Sequence, residues 1–325
     1  MYSFIDCLKI IAMALITNAH YENIYPLSII ANGGLLGDMI FFAVSGFCLF
    51  NIKDDFLKWY SKRISRIYPS VWLVTLICLA VQYYQTDFTI SSIFSLFIYP
   101  TEYHFIASIL FDYILFYCIV MIIKQVNIED RKVISIITTG IISIYLIYYF
   151  AIFDKTYYHI DSVYEFHIRI LFLIAMLIGA TFKINIDQYI SKQIKIVDIV
   201  ITAICFLSYF ISKMIFSKYV SISEFQIIPQ IFLLLLLCYI FKISTRFEDL
   251  IYKKSKRFRN FLSKTASLTL EVYLIQYLII SKYNKGPFPL NFIITTLMIL
   301  FLGYIINYLV GFLRRKKLFG RIIKK

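Results

Sequence analysis

Charged residues are scarce in this 325-residue sequence, where Asp, Glu, Lys and Arg together make up 16% of the chain. A soluble domain carries roughly 25%, and no stretch here is long and polar enough to form one. Hydrophobic residues make up 60%, and the mean hydropathy is +0.77. The composition therefore predicts an all-α integral membrane protein, with residues 1–325 forming a single membrane domain and no separate soluble domain.

Several other features are missing. The six cysteines all lie in apolar segments and form no CxxC pair, so neither a disulfide framework nor a metal site is predicted. The first hydrophobic segment has no basic stretch before it and no small-residue cleavage site after it, so we expect a retained helix rather than a signal peptide. There is no internal repeat, and Pro229 is the only proline predicted well inside a span.

Hydrophobic windows of near-spanning length predict about ten transmembrane helices. The segment 91–99 is too short to span and is expected at the membrane interface. The ten windows are 4–22, 34–51, 67–83, 104–123, 133–153, 166–182, 195–216, 222–243, 266–283 and 289–313.

Lys and Arg are distributed unevenly between the connections. If ten spans alternate, 27 of the 33 basic residues fall on one side and five on the other. The positive-inside rule then predicts that both termini are cytoplasmic. The net charge of +14 is explained by these juxtamembrane residues, so nucleic acid is not expected as a partner. The basic tracts 253–259 and 314–317 would suit anionic membrane lipids.

The first span carries two ionisable residues, Lys9 and His20, eleven positions apart. On a helix that spacing is about 20° beyond three full turns, so both leave the same face, roughly 16 Å apart along the axis. Ionisable groups in membrane helices usually face a bundle interior or a wet cavity. The alternative is a snorkelling lysine and a histidine that ends the helix at the interface.

The second span contributes Asp38 near its outer end, at a depth that His20 could share. A carboxylate that holds one imidazole nitrogen lets the other nitrogen act as a base. A second interpretation is that Asp38 caps the helix. Gly46 is predicted to permit close helix packing.

The second connection ends in Arg63 and Arg66, which share a helix face and could grip a phosphorylated ligand. A purely topogenic role is the alternative. Pro69 is expected in the first turn of the helix that follows. Among later residues, Glu271 is placed at least one turn inside the ninth span, where it could pair with Arg63 or Arg66. Open roles remain for Asp112 and Arg169, while His104 and His159 are interpreted as interface residues.

These motifs resemble those of the membrane-bound acyltransferase-3 family, which includes O-acetyltransferases of bacterial surface polysaccharides. The family pattern is matched by Lys9 and His20, by Asp38 with FFAVSGF at 41–47, by Arg63, Arg66 and Pro69, and by SLTLEVYLIQ at 267–276. There are two departures. The basic residue of the first helix is usually arginine and is Lys9 here, which keeps the charge without the planar fork. The late family histidine is Gln276 here, which keeps hydrogen bonding without proton transfer.

The resemblance implies transfer of an acyl group, usually acetyl, from cytoplasmic acyl-coenzyme A to a hydroxyl of a cell-surface or lipid-linked glycan, such as a capsule or O-antigen. It places the protein in the bacterial cytoplasmic membrane. His20, with Asp38, would be the base or a transient acyl carrier. Lys9, Arg63, Arg66 and Glu271 would serve acetyl-CoA binding, with Lys9 stabilising phosphate or carbonyl charge. No metal is expected. The alternatives are a flippase for a lipid-linked glycan and a non-catalytic partner of a polysaccharide synthase.

Overall fold

The computed structural model describes residues 2–163, 165–190, 192–283 and 286–315, and all regular secondary structure in these residues is helical. The α-helices, numbered in chain order, are α1 Ser3–Ala19, α2 Gly34–Leu49, α3 Phe56–Ala80, α4 Ile90–Ile93, α5 His104–Gln125, α6 Asp130–Ala151, α7 Phe166–Ile184, α8 Ile186–Ile190, α9 Ile196–Lys218, α10 Ile228–Arg246, α11 Glu248–Tyr252, α12 Lys256–Ser267, α13 Thr269–Tyr283 and α14 Leu290–Arg315.

Each of the ten predicted spans contains a long helix, which confirms the all-α membrane fold. Eight segments of the described chain are long and apolar enough to cross a membrane. The other two helices, α1 and α13, have 17 and 15 residues and are shorter than those eight. The segment 91–99 is divided between α4 and a π-helical turn, Phe94–Ile98, so it is too short to span, as predicted. The sidedness of the termini stays a prediction.

Helix α3 begins at Phe56, eleven residues before the predicted span. Asp55 caps it by accepting a 2.8 Å hydrogen bond from the backbone N–H of Lys58. The carboxylate of Asp54 also pairs with the ammonium groups of Lys58 and Lys62. Local pairing of these charged groups lets the helix extend beyond the apolar window, so Arg63 and Arg66 lie on α3 itself.

Pro69 and Pro229 each occupy a different part of their helix from the part predicted. Pro69 lies inside α3, so its expected position in a first turn was wrong. Pro229 stands in the first turn of α10, because residues Val220–Phe225 form a separate 3-10 helix instead of beginning that span. A proline in a first turn forfeits no helical hydrogen bond, whereas Pro69 leaves the carbonyl of Ser65 without its usual donor.

The predicted ninth span is divided at Leu268, where α12 ends and α13 begins. Glu271 consequently lies in the first turn of α13 rather than a turn or more inside a longer span. Lys285 and the basic tail beyond Arg315, which contributed to the charge count, lie outside the described residues.

The chain forms two compact units. Unit 1 comprises Met1–Leu8, Asp38–Ile52 and Asp112–Arg259, and unit 2 comprises Lys9–Gly37, Lys53–Phe111 and Asn260–Lys325. In unit 1, α2 and α7 meet at backbone contact. A Cβ added to Gly46 would lie 1.9 Å from the carbonyl oxygen of Met176, and one added to Gly179 would lie 1.8 Å from that of Ala43. The packing role predicted for Gly46 is confirmed.

In unit 2, α13 packs against α14 and α3, and α3 also contacts α14. Gly303 of α14 allows close approach, since a Cβ there would lie 2.8 Å from a methyl group of Val272. Five of the six residues proposed from the sequence as site residues belong to this unit: Lys9, His20, Arg63, Arg66 and Glu271.

Candidate functional site

The C-terminal end of α1 is fastened to α13 by two contacts. The hydroxyl of Thr17 donates a 2.7 Å hydrogen bond to Oε1 of Gln276, and both residues are buried. The imidazole of His20 meets the ring of Tyr277 edge-on, with 4.7 Å between the centroids. Tyr21, just after α1, and Tyr283, the last residue of α13, both hydrogen-bond to the second turn of α14, so α1 and α13 run in the same direction. We call Thr17, His20, Gln276 and Tyr277 the histidine site.

His20 directly follows α1, and its backbone N–H bonds to the carbonyl of Thr17 over 3.1 Å. Its side chain is partly exposed. The next residue, Tyr21, is buried and places its hydroxyl 2.9 Å from that of Thr296 on α14. His20 is therefore held between fixed neighbours on both sides and still keeps an accessible surface, which a base acting on a substrate needs.

Tyrosines surround the far side of the histidine site. The ring of Tyr103 lies 6.3 Å from that of Tyr273 and 6.2 Å from that of Tyr277, while Tyr273 and Tyr277 are 5.6 Å apart. His104 is close enough to His20 for their charges to interact. The three tyrosines were not predicted from the sequence, and His104 was interpreted only as an interface residue. The spacing of Tyr273 and Tyr277, four apart on one helix, was the available signal.

Gln276 has an unusual hydrogen-bonding state. Its Oε1 is used by Thr17, but its Nε2 is buried and makes no hydrogen bond within the described part of the chain. A buried amide donor without an acceptor costs about 1–3 kcal/mol. Such a group in a native structure calls for an explanation, and one is a bound molecule that supplies the acceptor.

The first turn of α13 carries a second polar group. Glu271 is 3% exposed, and its carboxylate accepts hydrogen bonds from the hydroxyl of Ser70 at 2.7 Å and from Nδ2 of Asn307 at 3.2 Å. The pairing expected with Arg63 or Arg66 is not formed among the described residues. Uncharged donors from α3 and α14 satisfy the carboxylate instead.

Three arginines lie on the same side of unit 2 as the first turn of α13. Arg63 stands over the ring of Trp59 at 5.8 Å, and its Nε is buried without a hydrogen-bond partner in the described residues. Arg314 donates a 2.6 Å hydrogen bond from Nη2 to the carbonyl of Arg66, and it interacts electrostatically with both Glu271 and Arg66. We call Arg63, Arg66 and Arg314 the arginine cluster. The third member was missed because Arg314 was counted with the topogenic tail.

Helix α13 therefore connects the histidine site with Glu271 and the neighbouring arginine cluster. Glu271 and Tyr277 are six residues apart on α13, about 9 Å along its axis. Lys9 is eight residues before Thr17 on α1, about 12 Å from the Thr17–Gln276 bond in the direction of Glu271. Lys9 is thus far from His20, so of its two expected roles the one toward phosphate fits this arrangement better than the one toward a carbonyl at His20.

Asp38 belongs to unit 1. It is the fifth residue of α2 and is 4% exposed, so the capping interpretation was wrong. Its partnership with His20 stays a prediction. Asp112 is also buried in unit 1, with neither carboxylate oxygen hydrogen-bonded in the described chain, and Arg169 is the cation that acts on it. The described residues contain no group of three or more His, Cys, Asp or Glu suited to a metal ion.

Comparison with known proteins identifies the chain's family. The acyltransferase-3 family model, described as an acyltransferase domain, matches residues 2–313. No curated protein and no solved structure matches the chain significantly. Because the matched region runs from the start of α1 to the last turn of α14, and includes the histidine site and two of the three residues of the arginine cluster, the chain belongs to the acyltransferase-3 family.

Proposed function

We propose that this membrane acyltransferase moves an acetyl group from cytoplasmic acetyl-CoA to a hydroxyl of a cell-surface or lipid-linked glycan in the bacterial cytoplasmic membrane. The observation that carries the proposal is the placement of two groups along α13: His20 contacts its middle at Tyr277, and the arginine cluster lies beside Glu271 in its first turn. A two-ended site suits a donor that carries phosphates at one end and its thioester at the other.

The arginine cluster would hold the phosphates of coenzyme A. Guanidinium groups bind phosphate oxygens through paired hydrogen bonds, and Arg63 keeps a buried Nε–H without a protein acceptor. Glu271 would act indirectly, because it is fixed by Ser70 and Asn307 and exerts its charge on Arg314. Lys9 would add positive charge on the path between the phosphates and His20.

His20 would activate the acceptor. A hydroxyl is a weak nucleophile at neutral pH, and an imidazole within hydrogen-bond reach can take its proton as the oxygen attacks the thioester carbonyl. The C–S bond then breaks, and the proton passes from the imidazole to the leaving thiolate. The products are an acetyl ester and coenzyme A. A variant of this route forms an acetyl-histidine first.

The tyrosines beside the histidine site would serve the acceptor. Aromatic rings and hydroxyls suit the apolar faces and polar edges of sugars, and the partly exposed Tyr277 offers both beside His20, with the buried Tyr103 and Tyr273 packed behind it. Anionic lipids around the basic connections would be further partners of the protein.

The test uses the full chain in lipid nanodiscs with radiolabelled acetyl-CoA, and cells that lack or carry the protein. We expect label in the glycan fraction and a glycan mass larger by one acetyl unit, with both lost in His20→Gln. A glycan of unchanged mass whose location differs between the two cell types would indicate a flippase instead. Protein denatured rapidly in detergent at neutral pH that retains label only when His20 is present would identify the acetyl-histidine route.

A further inference from the structure

The side-chain amide of Gln276 stands out because it is fixed in place and has an unused donor. Its Oε1 accepts from Thr17 over 2.7 Å, and the residue is fully buried. Nothing in the described part of the chain accepts from its Nε2. The Thr17 hydroxyl therefore determines which way the amide points, and the N–H groups remain available to another molecule.

The position of this donor relative to His20 follows from α1. Thr17 and His20 are three residues apart, which places them on neighbouring positions of one face, about 4.5 Å apart along the axis. Gln276 bonds to the first of these residues, and the following residue, Tyr277, contacts the second. The Gln276 amide thus lies about one helical turn from the imidazole, on the same stripe of α1.

We propose that Nε2 of Gln276 is the oxyanion donor of the acyl transfer and that Thr17 is its positioning residue. This inference rests on the proposed function. When the acceptor hydroxyl adds to the thioester and its proton moves to His20, the carbonyl oxygen gains negative charge. That oxygen accepts a hydrogen bond from Gln276 Nε2. The charge returns to the carbonyl as the C–S bond breaks, and the thiolate leaves with the proton from His20.

The Gln276 amide suits the role of oxyanion donor better than Lys9 does, for two reasons. The amide is neutral and buried, so it lowers the energy of the charged intermediate without attracting a permanent counter-ion, and its orientation is set before the reaction begins. Lys9, in contrast, lies about 12 Å from the Thr17–Gln276 bond along α1. The replacement of the family histidine by glutamine thus leaves a hydrogen-bond donor at this position while removing a titrating group.

The experiment compares kcat and KM for acetyl transfer by the full chain in nanodiscs. Gln276→Met keeps the length of the side chain and removes the donor, so we expect kcat to fall about 10²–10³-fold with little change in KM for acetyl-CoA. Gln276→His returns an N–H donor and should recover much of the lost rate. Gln230→Met is the matched control, since Gln230 is an equally buried amide in unit 1. Its kcat should stay near that of the wild type.

Variants of Thr17 give a second test, which remains informative if Gln276→Met fails to fold. Thr17→Val should lower kcat because the amide is free to rotate, whereas Thr17→Ser should restore it by returning the hydroxyl. Wild-type kcat in Gln276→Met, or equal rates for Thr17→Val and Thr17→Ser, would overturn the inference. If the wild type forms no acetyl ester at all, the proposed function fails first, so the two failures are distinguishable.

Discussion

The hydroxyl of Ser70 donates a 2.7 Å hydrogen bond to the buried carboxylate of Glu271. This bond joins the middle of α3 to the first turn of α13, the helix that carries the histidine site. Because Glu271 also interacts with Asn307 and Arg314, the carboxylate connects three helices of unit 2 around the arginine cluster.

Removal of that donor should destabilise the protein. We expect Ser70→Ala to lower the free energy of unfolding by about 1–3 kcal/mol, because it leaves a buried carboxylate with one donor fewer. Thermal unfolding of the purified protein in detergent measures the effect. Ser65→Ala is the control, since the Ser65 hydroxyl only bonds back to the Lys62 carbonyl on the same helix. Equal stability of the two variants would mean that the Ser70–Glu271 bond contributes little.

The arginine cluster should govern use of the donor. We expect Arg63→Ala and Arg66→Ala to raise KM for acetyl-CoA, with the double variant affected most, and Arg63→Lys to be impaired as well because lysine lacks the fork. Initial rates over a range of acetyl-CoA concentrations give the answer. Lys58→Ala serves as a control, because Lys58 pairs with Asp54 at the exposed start of α3. Unchanged KM in both alanine variants would leave these arginines with a topogenic role alone.

Three histidine variants should differ in their effect on the rate. His20→Gln removes the base, so we expect a loss of ~10²–10⁴-fold in kcat at normal protein levels. His104→Gln should reduce the rate less, since His104 lies near His20 and is not the base itself. His159→Gln, in unit 1, is the control. A His104→Gln variant as inactive as His20→Gln would require the base to be reassigned.

The glycine contacts of unit 1 should tolerate no side chain. Gly46→Ala and Gly179→Ala each place a Cβ within 2 Å of a backbone oxygen, so we expect little folded protein. Gly140→Ala is the matched control, because nothing lies within 4 Å of a Cβ built there. It should be neutral or slightly stabilising, since alanine favours a helix by about 0.5–1 kcal/mol over glycine. Monodisperse yield after solubilisation distinguishes the two classes.

The predicted orientation needs a test of its own. Single cysteines at positions 87 and 157 on a cysteine-free background should react with an impermeant thiol reagent in intact cells, because the excess of Lys and Arg predicts that these loops face outward. A cysteine at position 254 should react only after the cells are opened. The reverse pattern would place the arginine cluster on the outer side and would contradict the use of cytoplasmic acetyl-CoA.

The sequence predicted the helices well because long apolar segments appear as maxima of hydropathy. It placed Pro69 wrongly because the charged start of α3 is held by Asp54 and Asp55, which an apolar window does not detect. It placed Pro229 wrongly because the apolar residues before that proline form a separate 3-10 helix. It identified Glu271 but not its partners, because Ser70 and Asn307 are 201 and 36 residues away along the chain. The Thr17–Gln276 bond was unpredictable for the same reason, as two neutral side chains 259 positions apart give no local pattern.

The contact between α2 and α7 limits which residues can replace Gly46 and Gly179. Gly46 faces the Met176 backbone and Gly179 faces the Ala43 backbone, so main-chain atoms meet at both of these points. The fit at these two points is insensitive to hydrophobicity, because any Cβ there would collide with a backbone carbonyl. Serine should be rejected there as firmly as alanine, and no change in polarity elsewhere on either helix would compensate. Volume alone decides which residues these two positions accept.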